Sequence, residues 1–267
     1  DAVKQNPLSK DMEITFEMNP RDVSANKLSD LSALGINRYS LGVQSYNDLE
    51  LKGLGRNHDK ASGLEATKLL KGMNATIDLI YGTEYQTATS FQESLEQFID
   101  SQTNHLSLYQ LTIEPNTIFY KKELKLPNED QIEEMEQLAL QILESNGYKQ
   151  YEVSSWSRPG FESKHNLNYW QFGDFLGLGP GAHSKITVGP EITRFRKIKP
   201  LNGYIAKQTI ADHTIIRGEE LDMDLAMNLL RIKDGILHDQ LGVELPKSFL
   251  KKYQLGVEEG LLLEEKI

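Results

Sequence analysis

Apolar and polar positions repeat one pattern along the first half of the chain. A short apolar run ends in polar residues, and a stretch with helical spacing of its apolar side chains follows. The runs fall at Glu13–Glu17, Arg38–Val43, Ala75–Ile80 and His105–Ile113. Strands that alternate with helices at intervals of about 30 residues are typical of βα repeats. The pattern therefore predicts a parallel α/β fold.

Helix boundaries in this region carry recognisable capping residues. Ser24 and Asp59 precede the first apolar positions of two predicted helices, and Asn128 precedes a long one over Glu129–Ser145. Short polar side chains at these positions accept hydrogen bonds from the first free backbone N–H groups of a helix. Asn146 and Gly147 follow the long helix and predict its end.

The second half of the chain has a weaker pattern. Tyr148–Ser154 is predicted to form a strand, and Ser157–Gly181, which is rich in glycine, asparagine and aromatic residues, is predicted to be an irregular loop. Short helices are predicted at Leu221–Ile232, Pro246–Tyr253 and Val257–Leu262. This part is expected to be a small helical appendage.

Four predicted strands cannot close a barrel of eight. They predict an open arc, or part of a larger barrel whose first strands precede Asp1. The predicted organisation is a partial barrel over residues 1–120, an extension over 121–205 and a small helical domain over 206–267.

Composition excludes several classes of function. The chain has 267 residues, and none of its apolar runs approaches the length that a membrane span requires. A net charge of −10 argues against broad nucleic-acid binding, which requires a cationic surface. The absence of cysteine excludes disulfides, thiolate catalysis and a cysteine-ligated iron–sulfur cluster within this chain. No targeting peptide or initiator methionine is present, so the chain is expected to begin inside a longer product or to be processed.

Polar residues near the predicted strand ends are the first candidates for a site. Glu17, Gln44 and Asp78 would converge on one rim if their strands are neighbours. Arg56 follows a glycine-containing turn, and a guanidinium there would suit a ligand carboxylate. Each also has an ordinary interpretation, as a capping amide, a strand-end charge or a solvated arginine.

The second candidate is the segment His165–Tyr169, which is followed by Trp170 and Phe172. Imidazole is a good ligand for haem iron, and flanking aromatic rings would suit a flat macrocycle. The alternative is that the aromatic residues form a core and that His165 is an ordinary loop histidine.

Several segments are distinctive enough to carry a resemblance. In chain order they are Glu13–Pro20, Gly42–Ser45, Leu54–Arg56, Ile77–Gly82, Tyr109–Thr117, Tyr151–Ser154, His165–Trp170 and Gly177–His183. Together they resemble the radical S-adenosylmethionine family of oxygen-independent coproporphyrinogen III oxidase-like proteins. The resemblance is greatest to its HemW-like branch of haem chaperones.

The resemblance implies a partial (β/α)₆ barrel followed by a C-terminal α+β or helical domain. It implies that S-adenosylmethionine is bound by Glu17, which would hold the ribose, and by Gln44, Arg56 and Asp78 around the methionine and the sugar. In complete members of this family, three cysteines hold a [4Fe–4S] cluster that reduces S-adenosylmethionine.

In the HemW-like branch the motif His-Asn-x-x-Tyr is the proposed haem site, here His165, Asn166 and Tyr169, with His165 as a candidate iron ligand. The implied partners are haem and recipient haemoproteins, and a homodimer or larger assembly stays open. The implied compartment is the cytoplasm, or the mitochondrial matrix in a eukaryote.

Two departures from the family pattern keep other functions open. The loop with three cysteines is absent, and two missing βα units would correspond to about 60 residues. Thr83 and Glu84 replace the family's Leu-Pro after the third strand. A degenerate member without a cluster that serves as a structural or assembly subunit is one alternative. An oxygen-independent coproporphyrinogen III oxidase is the other, although the His-Asn-x-x-Tyr motif argues against it.

Overall fold

The computed structural model describes residues 11–189, 191–206, 210–237 and 240–262. Contacts between residues divide the chain into two compact units, residues 1–162 and 163–267. The division at residues 120 and 205 that the sequence suggested is a different partition and stays a prediction.

The first unit alternates strands and helices as the sequence predicted. Its elements are β1 (Thr15–Met18), α1 (Ala25–Ala33), β2 (Arg38–Gln44), α2 (Asp48–Gly53), α3 (Lys60–Leu69), β3 (Ala75–Tyr81), α4 (Ala88–Ser101), β4 (His105–Gln110), α5 (Glu129–Ser145), β5 (Lys149–Glu152) and β6 (Ser155–Ser157), with short 3₁₀ helices at Pro20–Asp22 and Phe119–Lys121.

These strands form one open sheet in the order β1-β2-β3-β4-β6-β5. The first four run parallel to one another, which confirms the predicted α/β arc. The predicted strand Tyr148–Ser154 is in fact the first half of a hairpin, because β5 and β6 pair antiparallel and β6 joins β4 antiparallel. The predicted fourth strand also ends earlier, at Gln110 instead of Ile113.

The hydrophobic core of this unit lies between one face of the sheet and the helices. Leu41, Ile77 and Leu106 are fully buried on three adjacent strands and pack with apolar residues of α4 and α5. The predicted caps are present: the side chains of Ser24, Asp59 and Asn128 each accept a backbone N–H in the first turn of α1, α3 and α5. Burial of this face therefore leaves the other face of the sheet for polar residues.

The second unit combines helices with a small sheet. Its described elements are α6 (Lys164–Trp170), β7 (His183–Val188), β8 (Glu191–Lys197), α7 (Leu201–Ile205), β9 (Ile210–Ile216), α8 (Glu219–Leu229) and α9 (Lys247–Glu258).

Two sequence predictions are corrected in this unit. The strands β7, β8 and β9 pair antiparallel in a sheet that the sequence did not predict, so residues 206–267 are not purely helical. The helix α6 lies inside the segment predicted to be an irregular loop, and the Ser163 side chain caps it by accepting the Asn166 N–H. A helix of seven residues is too short to show helical periodicity, which is why the pattern missed it.

Within the described ranges, no helix is both long and apolar enough to cross a membrane.

Candidate functional site

The face of the sheet opposite the hydrophobic core carries polar side chains on every parallel strand. On β2 the buried apolar residues Tyr39, Leu41 and Val43 alternate with polar residues and glycine. Since successive residues of a strand point to opposite faces, the polar set occupies the other side of the sheet. Its members on the first four strands are Thr15, Glu17, Arg38, Ser40, Gly42, Thr76, Asp78, His105, Ser107 and Tyr109. We call this set the inner face.

The end of β2 departs from regular strand geometry. The pairing of β2 with β3 shifts register between Gly42, which lies opposite Asp78, and Gln44, which lies opposite Leu79. Gln44 also has φ of 71°, in the left-handed region that non-glycine residues rarely occupy. Bulges of this kind re-aim side chains and are common next to binding sites.

Gln44 and Arg56 meet over Gly42. A Cβ atom at Gly42 would lie 2.9 Å from Gln44 Nε2, close enough to displace that side chain, and 3.5 Å from Arg56 Nη2, which is an ordinary contact distance. Arg56 Nη2 donates to the Asn19 side-chain oxygen at 2.7 Å and to the Gly42 carbonyl at 3.3 Å. Because these bonds use one nitrogen, the guanidinium is oriented and keeps further N–H groups for a ligand carboxylate.

Asp78 lies one strand away on the same face. Its carboxylate accepts a hydrogen bond from Ser40 Oγ at 2.8 Å and another from Ser107. The pKa of Asp78 is raised from 3.8 to about 6: burial is the main cause and the negative charge of Glu17 adds to it, while the hydrogen bonds from the two serine hydroxyls oppose the shift. The structure therefore brings Glu17 and Asp78 together on the inner face, although Asp78 lies in the middle of β3 and not at the strand end that the sequence predicted.

Beyond these groups, at the beginning of the strands, a buried chain of polar contacts crosses the inner face. Arg38 donates to Thr76 Oγ1, which lies 3.2 Å from His105 Nδ1, and His105 Nε2 lies 2.8 Å from the Tyr151 hydroxyl. Because the Thr76 hydroxyl can either donate to Nδ1 or accept from it, and the Tyr151 hydroxyl can do the same at Nε2, either neutral tautomer of His105 satisfies these contacts. Burial lowers the pKa of His105 well below its usual value, which fits this neutral state.

The second candidate cluster lies on α6 and in the segment after it. The rings of His165 and Tyr169, one helical turn apart, are in edge contact with centroids 4.7 Å apart. Tyr169 also contacts the Phe175 ring at 4.6 Å, and burial raises the pKa of the Tyr169 hydroxyl. His165 is exposed and Asn166 is half-buried. The three motif residues thus lie on one short helix in the second unit.

Sequence inspection had not singled out Ser40 and Ser107 as site residues. Each stands on the inner face beside Asp78, and each is buried. The alternation of polar and apolar residues could have indicated them. Ser40 lies two residues before Gly42 and Ser107 lies between Leu106 and Leu108, so both alternate with apolar residues that point to the opposite face of the sheet.

The described residues contain no group of three or more histidine, cysteine, aspartate or glutamate side chains placed to hold a metal ion. The whole chain also lacks cysteine. A [4Fe–4S] cluster held by thiolates therefore does not fit the residues of this chain.

Proteins named heme chaperones are similar in sequence to most of the chain. It is 39% identical over 237 residues to the heme chaperone HemW of Haemophilus influenzae, which covers 87% of this chain and 62% of that relative. It is 34% identical over 268 residues to the heme chaperone HemW of Buchnera aphidicola subsp. Acyrthosiphon pisum, which covers 98% of this chain and 71% of that relative. No family model matches the chain.

A solved structure shares the fold. The coproporphyrinogen III oxidase HemN from Escherichia coli, described as a radical SAM enzyme, matches 96% of this chain and 65% of its own chain with a TM-score of 0.74. At 22% identity this likeness establishes the fold alone. The chain spans 62% of the length of the HemW proteins from Haemophilus influenzae and Escherichia coli. Since identity to HemW proteins exceeds 30% over nearly all of the chain, and over 71% of one of them, the chain belongs to the HemW family.

Proposed function

We propose that this chain is the haem-binding and S-adenosylmethionine-binding part of a haem chaperone that delivers haem to haemoproteins. The observation that carries the proposal is the ring cluster on α6, where exposed His165 contacts Tyr169 and Tyr169 contacts Phe175. The relatives named heme chaperones support the same assignment. The recipient haemoproteins, the oligomeric state and the compartment stay predictions.

Haem would be held by the motif on α6. His165 supplies an imidazole at the surface, the type of ligand that haem iron takes from proteins. The edge contact with Tyr169 would limit the rotation of the imidazole. Asn166, on the next position of the helix, would bond a polar edge of the macrocycle.

S-adenosylmethionine would bind on the inner face of the first unit. Arg56 would hold the carboxylate of the methionine moiety, and Gln44, whose amide group packs over Gly42, would bond the same moiety. Glu17 would hold the ribose hydroxyls, and Asp78, which lies near Glu17, would contact the methionine and the sugar. Bound S-adenosylmethionine supplies a sulfonium whose cleavage requires an electron, and no residue of this chain provides a cluster for that step.

A second function, a degenerate family member that serves as a structural or assembly subunit, is favoured by the altered turn after β3, where Thr83 and Glu84 replace the family's Leu-Pro. A coproporphyrinogen III oxidase activity has no such support in this chain. The two leading functions differ in whether the chain binds haem.

Haem titration of the purified chain separates them. A Soret band that saturates at about one haem per chain is expected, and His165→Ala should weaken binding at least about tenfold, a loss of about 1.4 kcal/mol. His213→Ala is the matched control, because His213 is another exposed histidine of the same unit. Equal loss in both variants would refute the assignment of His165, and the absence of haem uptake would favour the structural subunit.

A further inference from the structure

A carboxylate that no proposed ligand contact uses lies beneath the inner-face site. Glu50, on the short helix α2, has no solvent exposure. It accepts hydrogen bonds from Ser45 Oγ at 2.7 Å, from Gln86 Nε2 at 2.9 Å and from Ser90 Oγ at 2.6 Å. A buried carboxylate is costly unless its oxygens are satisfied, and here both oxygens are bonded.

The direction of these bonds identifies Glu50 as an acceptor only. The Gln86 amide is oriented because its oxygen accepts the Gly82 N–H at 2.7 Å, which turns its nitrogen toward Glu50. Ser90 is the third residue of α4 and lies at the positive end of that helix. The carboxylate form of Glu50 is therefore satisfied by neutral donors together with a helix N-terminus.

Glu50 joins the segments that carry the proposed S-adenosylmethionine contacts. Ser45 directly follows Gln44, and the Arg56 N–H closes the end of α2 on the Leu51 carbonyl at 2.9 Å. Gln44 and Arg56 thus bracket the helix to which Glu50 belongs. Through Gln86, the same carboxylate holds the turn that follows β3, the strand of Asp78.

The backbone at Gln44 needs such an anchor. A glutamine at φ of 71° occupies a sparsely populated conformation that persists only where its surroundings fix it. Ser45 contributes twice to that fixation, because its hydroxyl donates to Glu50 and accepts the Asn47 N–H at 3.0 Å. Removal of the carboxylate would leave the Ser45 hydroxyl and the segment that it anchors free to rearrange.

We propose that Glu50 is a positioning residue for S-adenosylmethionine: it fixes Gln44 in its binding orientation without touching the ligand. The inference rests on the proposed S-adenosylmethionine site. It assigns to a buried glutamate a role that differs from general stabilisation, because its effect on affinity passes through Gln44.

The test is a double-mutant cycle on the full chain, with S-adenosylmethionine titrated calorimetrically. Glu50→Ala is expected to weaken binding about tenfold in the parent chain and less than about threefold in the Gln44→Ala background, since the effects of coupled residues are not additive. Glu65→Ala, which removes an exposed glutamate from α3, is the matched control and should leave affinity unchanged.

The conservative variant Glu50→Gln tests whether the hydrogen bonds of Glu50, and not its contribution to folding, control the affinity. In Glu50→Gln the amide group can face Ser90, whose hydroxyl can turn to the Thr87 carbonyl 3.2 Å away, so the other two donors stay bonded. Affinity within about threefold of the parent chain is expected. If Glu50→Ala does not fold, Ser45→Ala removes one of the three donors and should weaken binding in the same direction.

The outcomes distinguish the two levels of the proposal. An equal loss of affinity with and without Gln44 would overturn the positioning role and leave Glu50 as a general structural residue. Unchanged affinity in Glu50→Ala, together with a loss in Arg56→Ala, would also overturn it while supporting the site. If the parent chain and Arg56→Ala both fail to bind S-adenosylmethionine, the proposed site itself is wrong and the role of Glu50 falls with it.

Discussion

Replacement of Asp78 by asparagine is expected to stabilise the first unit at neutral pH while weakening S-adenosylmethionine binding. Burial raises the pKa of this carboxyl from 3.8 to about 6, so the folded chain holds the Asp78 proton more tightly than the unfolded chain does. The ionised form is therefore a cost to folding at neutral pH. Asparagine avoids that cost, and both neighbouring serine hydroxyls can still bond it, because each can donate or accept.

The size of the expected stabilisation follows from the pKa shift of Asp78. At 1.36 kcal/mol per pKa unit, a shift of about two units corresponds to about 3 kcal/mol. Because the side chain keeps some contact with solvent, we expect the variant to gain about 1–3 kcal/mol in free energy of unfolding.

The direction of the pKa shift determines how the stability advantage of Asp78→Asn depends on pH. For an acid whose pKa is raised on folding, the stabilisation is complete below the unfolded pKa and is lost as the pH rises through the folded pKa. The advantage of Asp78→Asn should therefore be absent at about pH 4, grow up to about pH 6 and stay constant above it.

Urea unfolding of the parent chain and of Asp78→Asn between about pH 4 and about pH 8 measures this difference. Glu65→Gln, which changes an exposed carboxylate on α3, is the control and should show no comparable trend. An Asp78→Asn variant less stable than the parent chain at about pH 8, or an advantage independent of pH, would refute the argument that burial controls this carboxyl.

Three further substitutions test the packing around the site. Gly42→Ala should weaken S-adenosylmethionine binding about three- to tenfold by calorimetry with little change in melting temperature, because its Cβ would displace the mobile end of Gln44 2.9 Å away. Gly82→Ala should lower the free energy of unfolding in urea by about 1–2 kcal/mol, since φ is 72° there and the new methyl would meet a side chain of α5. Tyr148→Phe should cost about 1 kcal/mol in the same assay through loss of the buried hydrogen bond to the Thr103 carbonyl, and an unchanged value would contradict a native bond there.

The parallel half of the fold was predictable because local signals agreed with one another. Apolar strands such as Ala75–Tyr81 alternate with helices that carry a cap at Ser24, Asp59 or Asn128. Where propensity, periodicity and capping point to the same element, sequence inspection is dependable.

The second unit was less predictable because its strands lack that agreement. In β8 only Ile192 is deeply buried, and charged residues such as Arg194 and Arg196 occupy the same face. Arg194 instead pairs with Asp224 of α8 at 2.8 Å. A strand held by pairing and by such charges carries no continuous apolar face, so the pattern gave no reason to place a sheet there.

The residues proposed to contact the ligand were predictable from the sequence, but the residues that support them were not. Glu17 and Asp78 interrupt apolar runs, where a charge calls for an explanation. Glu50 carried no such signal, because a single glutamate in a short polar helix is typical of a solvated surface. Its burial depends on Gln86 and Ser90, which lie 36 and 40 residues further along the chain, and only the tertiary fold brings the three together.

The alternation in β2 connects the fold to the site. A strand of a parallel sheet covered by helices on both faces is apolar nearly throughout, whereas Arg38–Gln44 alternates polar residues and glycine with the buried side chains of Tyr39, Leu41 and Val43. One face therefore packs against helices, and the other presents hydrogen-bonding groups, with the Gln44 amide packed over Gly42. Buried polar groups are retained only where they bond one another or a ligand. The chain of contacts from Arg38 to Tyr151 accounts for the beginning of the strands, and Gln44, Arg56 and Asp78 are the groups that the proposed function assigns to a polar ligand.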